Sequence, residues 1–128
     1  MITWKQLART DPWWVSRMIN RGLLDTIDLA SALEALGRAA PTLAYPHLLR
    51  GMRHDVPMVR ESALLALTET SPRTEELLNT VLDLALSDRS SGVRLTAKKA
   101  LQVITSPLAP LRRLQNWCAR VFLVLYVL

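Results

Sequence analysis

The two histidines are the residues whose type most readily suggests chemistry. His47 and His54 lie seven positions apart, and Asp55 follows the second of them. A protein metal site usually needs three or four ligands at close, characteristic spacing. The chain has no His-x-x-x-His motif, and Cys118 is its only cysteine. The spacing therefore favours two histidines on the surface of a helix, and we predict no metal ligands.

Carboxylates could in principle serve as general acids or bases. Glu75, Glu76 and Asp83 fall on one predicted helix, but paired glutamates in a first turn are what the helix dipole favours. General acid–base catalysis also needs a pocket that holds the substrate within reach of the proton. The sequence has no glycine-rich phosphate loop and no Ser/His/Asp set. We therefore predict no catalytic residues, no cofactor and a non-enzymatic protein.

The basic residues are concentrated near the C-terminus. Residues 1–88 carry a net charge of −2, whereas residues 89–128 carry seven basic side chains and no acidic one. This asymmetry indicates an anionic partner such as nucleic acid, an acidic protein face or an anionic membrane surface. The alternative is a solvated basic face that keeps the protein soluble. The candidate binding residues are Arg94, Lys98, Lys99, Arg112, Arg113, Trp117 and Arg120.

The composition predicts an all-α protein. The chain has 128 residues, the size of one domain, and half of them are apolar, enough for a sizeable core. Glycine and aromatic residues are few, while leucine and alanine, which favour helix, are abundant. Cys118 cannot form an intramolecular disulfide, and the first residues lack the apolar region of a secretory signal. We expect the protein in the cytoplasm.

Capping residues and prolines divide the chain into seven short helices. Asp11-Pro12 begins the first, which Gly22 ends, and Asp25 or Thr26 caps the second. The third follows Pro41, and Pro46 is expected within its first turn. The later helices are predicted from residue 57, after Ser71-Pro72, after Ser90-Ser91-Gly92, and after Ser106-Pro107.

One pattern of residues occurs twice in the predicted helices. Val59, Arg60, Ala63, Ala66 and Leu67 recur 34 positions later as Val93, Arg94, Ala97, Ala100 and Leu101. Self-similarity near 34 residues, in units of two helices, is typical of an α-solenoid. With an acid in the preceding turn, Asp55 or Asp88, this pattern resembles the HEAT repeat, most strongly over residues 42–104.

The resemblance implies a specific domain organisation. We expect a single domain, 1–128, of three antiparallel helix pairs and a capping helix: repeat 1 at 12–38, repeat 2 at 42–69, repeat 3 at 72–105 and the cap at 107–128. Repeat 1 is degenerate, because Asp28-Leu29 replaces Val-Arg. In HEAT proteins the arginine usually pairs with turn acids, so Arg60 is expected to pair with Asp55 and Arg94 with Asp88.

The two ends of the chain carry unusual apolar groups. Trp4, Trp13 and Trp14 crowd the N-terminal end, where one or two of them are expected to cover the open side of repeat 1. Residues 123–128 are apolar on every side of the last predicted helix. This run is too short to span a bilayer. It is expected to cap the solenoid, to self-associate through 121–128, or to contact an anionic membrane surface.

These observations predict an interaction or scaffold module. The expected partner is a protein, bound by the concave face of the solenoid or by the basic and apolar C-terminal end. The HEAT resemblance leaves other functions open: a nucleic-acid-binding protein with DNA glycosylase-like architecture, a HEAT-like lyase, or a peripheral membrane adaptor. We place none of the active-site residues of those enzymes in this sequence.

Overall fold

The structure, a computed structural model, describes residues 2–70 and 74–104. Every regular element in these ranges is a helix, which confirms the predicted all-α class. The helices are α1 (Trp4–Thr10), α2 (Pro12–Arg21), α3 (Thr26–Ala39), α4 (Pro41–Gly51), α5 (Pro57–Thr70), α6 (Glu75–Ser87) and α7 (Ser91–Ile104). Among the described helices, none has the length and apolar content needed to cross a bilayer.

The predicted start and stop signals of α2 and α3 are confirmed. The Asp11 carboxylate accepts a hydrogen bond from the backbone N–H of Trp14 at 3.1 Å, and Pro12 occupies the first turn of α2. Gly22 ends α2 with φ of +67°, a left-handed conformation that costs glycine little. Asp25 caps α3 by accepting from the backbone N–H of Asp28 at 2.8 Å.

Helix α1 was not predicted, although its signal is present in the sequence. The Thr3 hydroxyl accepts from the backbone N–H of Gln6, and the Gln6 side chain accepts from the backbone N–H of Thr3, at 3.2 and 3.0 Å. This reciprocal pair is a capping box, which marks a helix start. The seven-residue helix is too short to show a clear apolar period, so the box was its main sequence signal.

Two predictions about helix N-termini are wrong, the position of Pro46 in α4 and the start of α6. Pro46 lies inside α4, not in its first turn, because α4 already begins at Pro41. Helix α6 begins at Glu75, three residues later than Pro72, and its N-cap is Thr74. The Thr74 hydroxyl accepts from the backbone N–H of Leu77 at 3.2 Å, so a threonine provides the cap that the Ser71-Pro72 signal predicted upstream.

The chain forms two compact units, Met1–Pro72 and Arg73–Leu128. In the first unit α2 packs beside α4 and α3 beside α5, while α1 packs on α2 and α3. Their shared core is made of fully buried apolar side chains: Val15, Leu33, Leu36, Leu48, Met52, Val59 and Leu64. In the second unit α6 packs on α7 around Leu77, Leu78, Val81, Leu82 and Leu101.

Small residues allow the helices of the first unit to approach closely. A Cβ atom on Gly37 of α3 would lie 2.8 Å from the Cβ of Ala66 on α5. A Cβ on Gly51 of α4 would lie 3.0 Å from the Cβ of Ala63, also on α5. Both alanines are repeat positions, and their small size lets α5 approach α3 and α4 at short interaxial distance.

Candidate functional site

A buried polar network joins α2 to α4. His47 is only 5% exposed, and its Nε2 atom lies 2.7 Å from the Oγ of Ser16, which is also buried. On the other side of the ring, Nδ1 lies 2.7 Å from Nη2 of Arg50. The same Nη2 donates to Oδ1 of Asn20 at 3.0 Å. The prediction of a surface histidine is therefore wrong for His47.

The donors and acceptors of this network determine the state of the His47 ring. An arginine side chain can only donate hydrogen bonds, so Nδ1 of His47 accepts from Arg50. The ring hydrogen of the neutral histidine is then on Nε2 and is donated to the Ser16 hydroxyl oxygen. In this arrangement His47 cannot take the proton of Ser16, because Nε2 already carries one. The pair is arranged to join two helices and not to activate a nucleophile.

Protonation of His47 is disfavoured in the folded protein. Burial removes the ring from water and the Arg50 guanidinium repels a second positive charge, so the pKa of His47 is lowered from its ordinary value of 6.5. A group with a lowered folded pKa contributes stability that is fully present above its unfolded pKa. That stability is lost as the pH falls through about 6.5 toward the folded value.

The first unit should therefore lose stability between pH 7.5 and pH 5.5 because His47 must be protonated on unfolding. We expect the free energy of unfolding to fall more steeply in the wild-type chain than in His47→Gln, by up to about 1.4 kcal/mol per pH unit. Urea unfolding at both pH values measures the two slopes. Equal slopes in the two proteins would show that burial does not suppress the charge of this ring.

A cleft of about 260 Å³ lies next to this network. Its polar edge contains Asn20, His47, Arg50 and His54, and its apolar part is formed by Ile19, Leu29 and Leu33, with Gly51. None of the described residues that line it is acidic. The His54 Nδ1 atom accepts from the backbone N–H of Val56 at 3.0 Å, which leaves Nε2 as the hydrogen-bond donor of the neutral ring.

A larger groove of about 720 Å³ lies between α1 and α3. The indole Nε1 of Trp4 donates to Oδ1 of Asp28 at 3.2 Å, and the Trp4 ring stacks on Trp14 with a centroid separation of 6.4 Å. Trp4 thus contacts both α2, through Trp14, and α3, through Asp28. The Trp13 side chain, in contrast, is 67% exposed. Cations and acids both line the groove, so its charge is mixed.

The two repeat arginines hold the turns that precede their helices. Arg60 Nη1 donates to the main-chain oxygens of His54 and Asp55 at 2.8 and 2.9 Å. Arg94 Nη1 donates to the main-chain oxygen of Asp88 at 2.5 Å. The contacts reach the turn residues expected from the HEAT resemblance, and in these bonds the acceptor is the backbone. A guanidinium that binds turn carbonyls fixes the connection between two helices.

The predicted binding residues are only partly described. Arg94 and Lys98 are half-buried on α7 and Lys99 is exposed on the same helix. Arg112, Arg113, Trp117 and Arg120 lie outside the described residues, as does the predicted contact through 121–128. Within residues 2–70 and 74–104, no group of three or more His, Cys, Asp or Glu side chains could hold a metal ion.

Exposed apolar side chains occur on the second helix of each predicted pair. Ile27 of α3 is 66% exposed, and Met58 and Leu65 of α5 are 39% and 51% exposed. Ile27 and Met58 lie 31 residues apart, the spacing that aligns repeat 1 with repeat 2. On α7, Leu95 and Val103 are also exposed. Because α3 and α5 pack side by side, their exposed residues belong to one unit.

Sequence comparison identifies one segment of the chain. Residues 44–72 match the family model of the HEAT repeat, which confirms the resemblance for the segment containing most of α4 and all of α5. No curated protein and no solved structure matches the chain significantly. The match supports a HEAT repeat in this segment, which overlaps the predicted second repeat.

Proposed function

We propose that the chain is a short HEAT-like α-solenoid that acts as a non-enzymatic interaction module and binds a protein partner. The proposed binding surface is the exposed side of α3 and α5, the second helices of the first two pairs. Stacked helix pairs offer an extended concave surface for such binding. The HEAT match over residues 44–72 supports this assignment, and so does the packing of α2 beside α4 and α3 beside α5.

The observation that carries the proposal is the exposed apolar residues on this surface. Ile27, Met58 and Leu65 are large side chains that the folding of the first unit leaves in water. Grouped exposed apolar residues are typical of protein interaction sites, whereas single ones are common on any surface. Here two of the three recur at equivalent positions of successive helix pairs, which favours a shared surface over chance exposure.

A chain carrying Met58→Glu and Leu65→Glu should lose its protein partner and remain folded. Both side chains are exposed, so we expect the melting temperature to change little. Binding should fall at least tenfold, because two charges would enter an apolar contact without ion-pair partners. The measurement is affinity purification from the source cell with wild-type and variant chains, with quantification of the protein that binds the wild type.

The control is Leu23→Glu, which places a charge on a leucine that is 65% exposed in the turn between α2 and α3. We expect this variant to retain the partner. To locate the contact, a photo-crosslinking residue at position 65 should label the partner, whereas the same residue at position 23 should not. Retention of the partner by the Met58/Leu65 variant would contradict binding through α3 and α5.

A further inference from the structure

The side of the first unit formed by α2 and α4 is basic. Residues 12–21 and 41–54, which comprise α2, α4 and the three residues after α4, contain four arginines and no Asp or Glu, and the nearest acids in the sequence are Asp11 and Asp55 at the ends of these ranges. The arginines are Arg17, Arg21, Arg50 and Arg53, and all four are exposed. Because α2 packs beside α4, arginines about 30 residues apart in the sequence lie on neighbouring helices.

Arg50 is held in place by groups on its own helix and on α2. The Nη2 atom uses both of its hydrogens, one for Asn20 Oδ1 and one for His47 Nδ1. The Nε–H and the two N–H groups of Nη1 have no acceptor within residues 2–70 and 74–104. A guanidinium that is positioned in advance loses less conformational entropy when it binds an anion.

The cleft beside Arg50 combines this donor with an apolar floor. Arg50 and His54 present N–H donors at its edge, while Ile19, Leu29 and Leu33 form the floor. Its volume of about 260 Å³ is below the roughly 300–1,000 Å³ of pockets for drug-sized ligands. It is large enough for one aliphatic side chain with a carboxylate close to it.

We propose that the α2/α4 side of the first unit binds an acidic peptide segment, with one aliphatic side chain in the cleft and flanking carboxylates on the arginines. Arg17 lies one helical turn before the cleft residue Asn20, and Arg53 lies three residues after the cleft residue Arg50, so we expect both arginines close to the cleft. Guanidinium groups bind carboxylates with favourable, charge-assisted geometry. The cleft includes Leu29 and Leu33 of α3, but none of Ile27, Met58 and Leu65, which carry the surface proposed above, lines it.

The walls of the cleft distinguish a peptide from nucleic acid. Proteins that bind single strands stack bases on aromatic side chains, whereas the apolar residues of this cleft are aliphatic. Binding to a duplex depends on phosphate contacts and does not need an apolar cleft next to the arginines. A peptide with an aliphatic side chain and neighbouring carboxylates would contact both the apolar cleft and the arginines beside it.

The test compares two fluorescent peptides that differ in one residue. Each has six glutamates, and the central residue is leucine in one peptide and serine in the other. By fluorescence anisotropy, the leucine peptide should bind the full-length chain at least about tenfold more tightly than the serine peptide. Leu29→Gln should remove this preference without a change in net charge. Equal binding of the two peptides to the wild type would overturn the proposal.

Two charge-reversal variants locate the site. Arg17→Glu with Arg53→Glu should weaken binding of the leucine peptide at least about tenfold, while Lys98→Glu with Lys99→Glu, an equal charge change on α7, should leave it within about twofold. Thermal melts of both variants establish that they are folded. An equal loss in the two variants would indicate net charge alone and would overturn the assignment to α2 and α4.

Other anions serve as competing probes at the same ionic strength. Duplex DNA and vesicles of phosphatidylserine and phosphatidylcholine should bind more weakly than the leucine peptide, and tighter binding of either would overturn the proposal. The Met58/Leu65 variant should still bind the peptide, because these residues lie on α5. Failure of the peptide test and failure of the α3/α5 partner test are therefore separate results.

Discussion

Leu48→Ala should lower the free energy of unfolding of the first unit by about 2–5 kcal/mol. Leu48 lies on α4 and is 0% exposed. Its Cδ1 atom would lie 3.5 Å from a Cβ atom added to Gly37 of α3. Truncation removes buried apolar surface and leaves a cavity that helices held close by Gly37 and Gly51 cannot easily close. Urea unfolding followed by circular dichroism measures the loss.

The control for this change is Leu65→Ala on α5, where the same atoms are removed from an exposed leucine. We expect a change within about 0.5 kcal/mol, because little buried surface is lost. The two substitutions remove the same atoms and differ in whether the leucine side chain is buried. If Leu48→Ala were as mild as Leu65→Ala, the packing of α4 against α3 and α5 would be wrong.

Ala63→Phe should destabilise the first unit by about 1–3 kcal/mol through overpacking. Ala63 is fully buried. If Gly51 carried a Cβ atom, that atom would lie 3.0 Å from the Cβ of Ala63 and 3.1 Å from the Cδ1 of Leu33. A phenyl ring at this position can be accommodated only if α4 and α5 move apart. Thermal melts and urea unfolding of the purified variant measure the effect.

Leu65→Phe provides the matched control, because it adds a ring to the same helix two residues away at an exposed position. Its free energy of unfolding should remain close to that of the wild type. The equivalent change in the second unit is Ala97→Phe, where Ala97 is also fully buried, and we expect a similar loss. Neutral behaviour of both alanine variants would contradict the small-residue account of helix packing in the two units.

Local signals in the sequence were sufficient to predict most helices. Asp11, Pro12, Gly22 and Asp25 act through hydrogen bonds and backbone preferences within three or four residues, so their effects can be read without knowledge of the tertiary fold. The repeat pattern likewise predicted the HEAT resemblance that the match over 44–72 confirms. Helix α1 was missed although its capping box is equally local.

The candidate site could be predicted only in part. Arg60 and Arg94 were assigned to their turns, because each turn is five or six residues from its arginine. Ser16 and His47 are 31 residues apart, on helices that share no sequence motif. Histidine is intermediate between buried and exposed residue types, so its type did not distinguish a surface position from the buried one that α2 creates.

Charge shows the same division between sequence and tertiary structure. The order of residues alone determines that residues 89–128 are basic and that residues 1–88 are nearly balanced. Helix packing redistributes the charges of that balanced segment, because α2 and α4 are neighbours and carry Arg17, Arg21 and Arg50, with Arg53 in the turn after α4, while Asp28 and Glu34 lie on α3. The net charge of a sequence segment averages over helices that lie on different sides of the folded protein. A binding partner contacts only the charges on one of those sides.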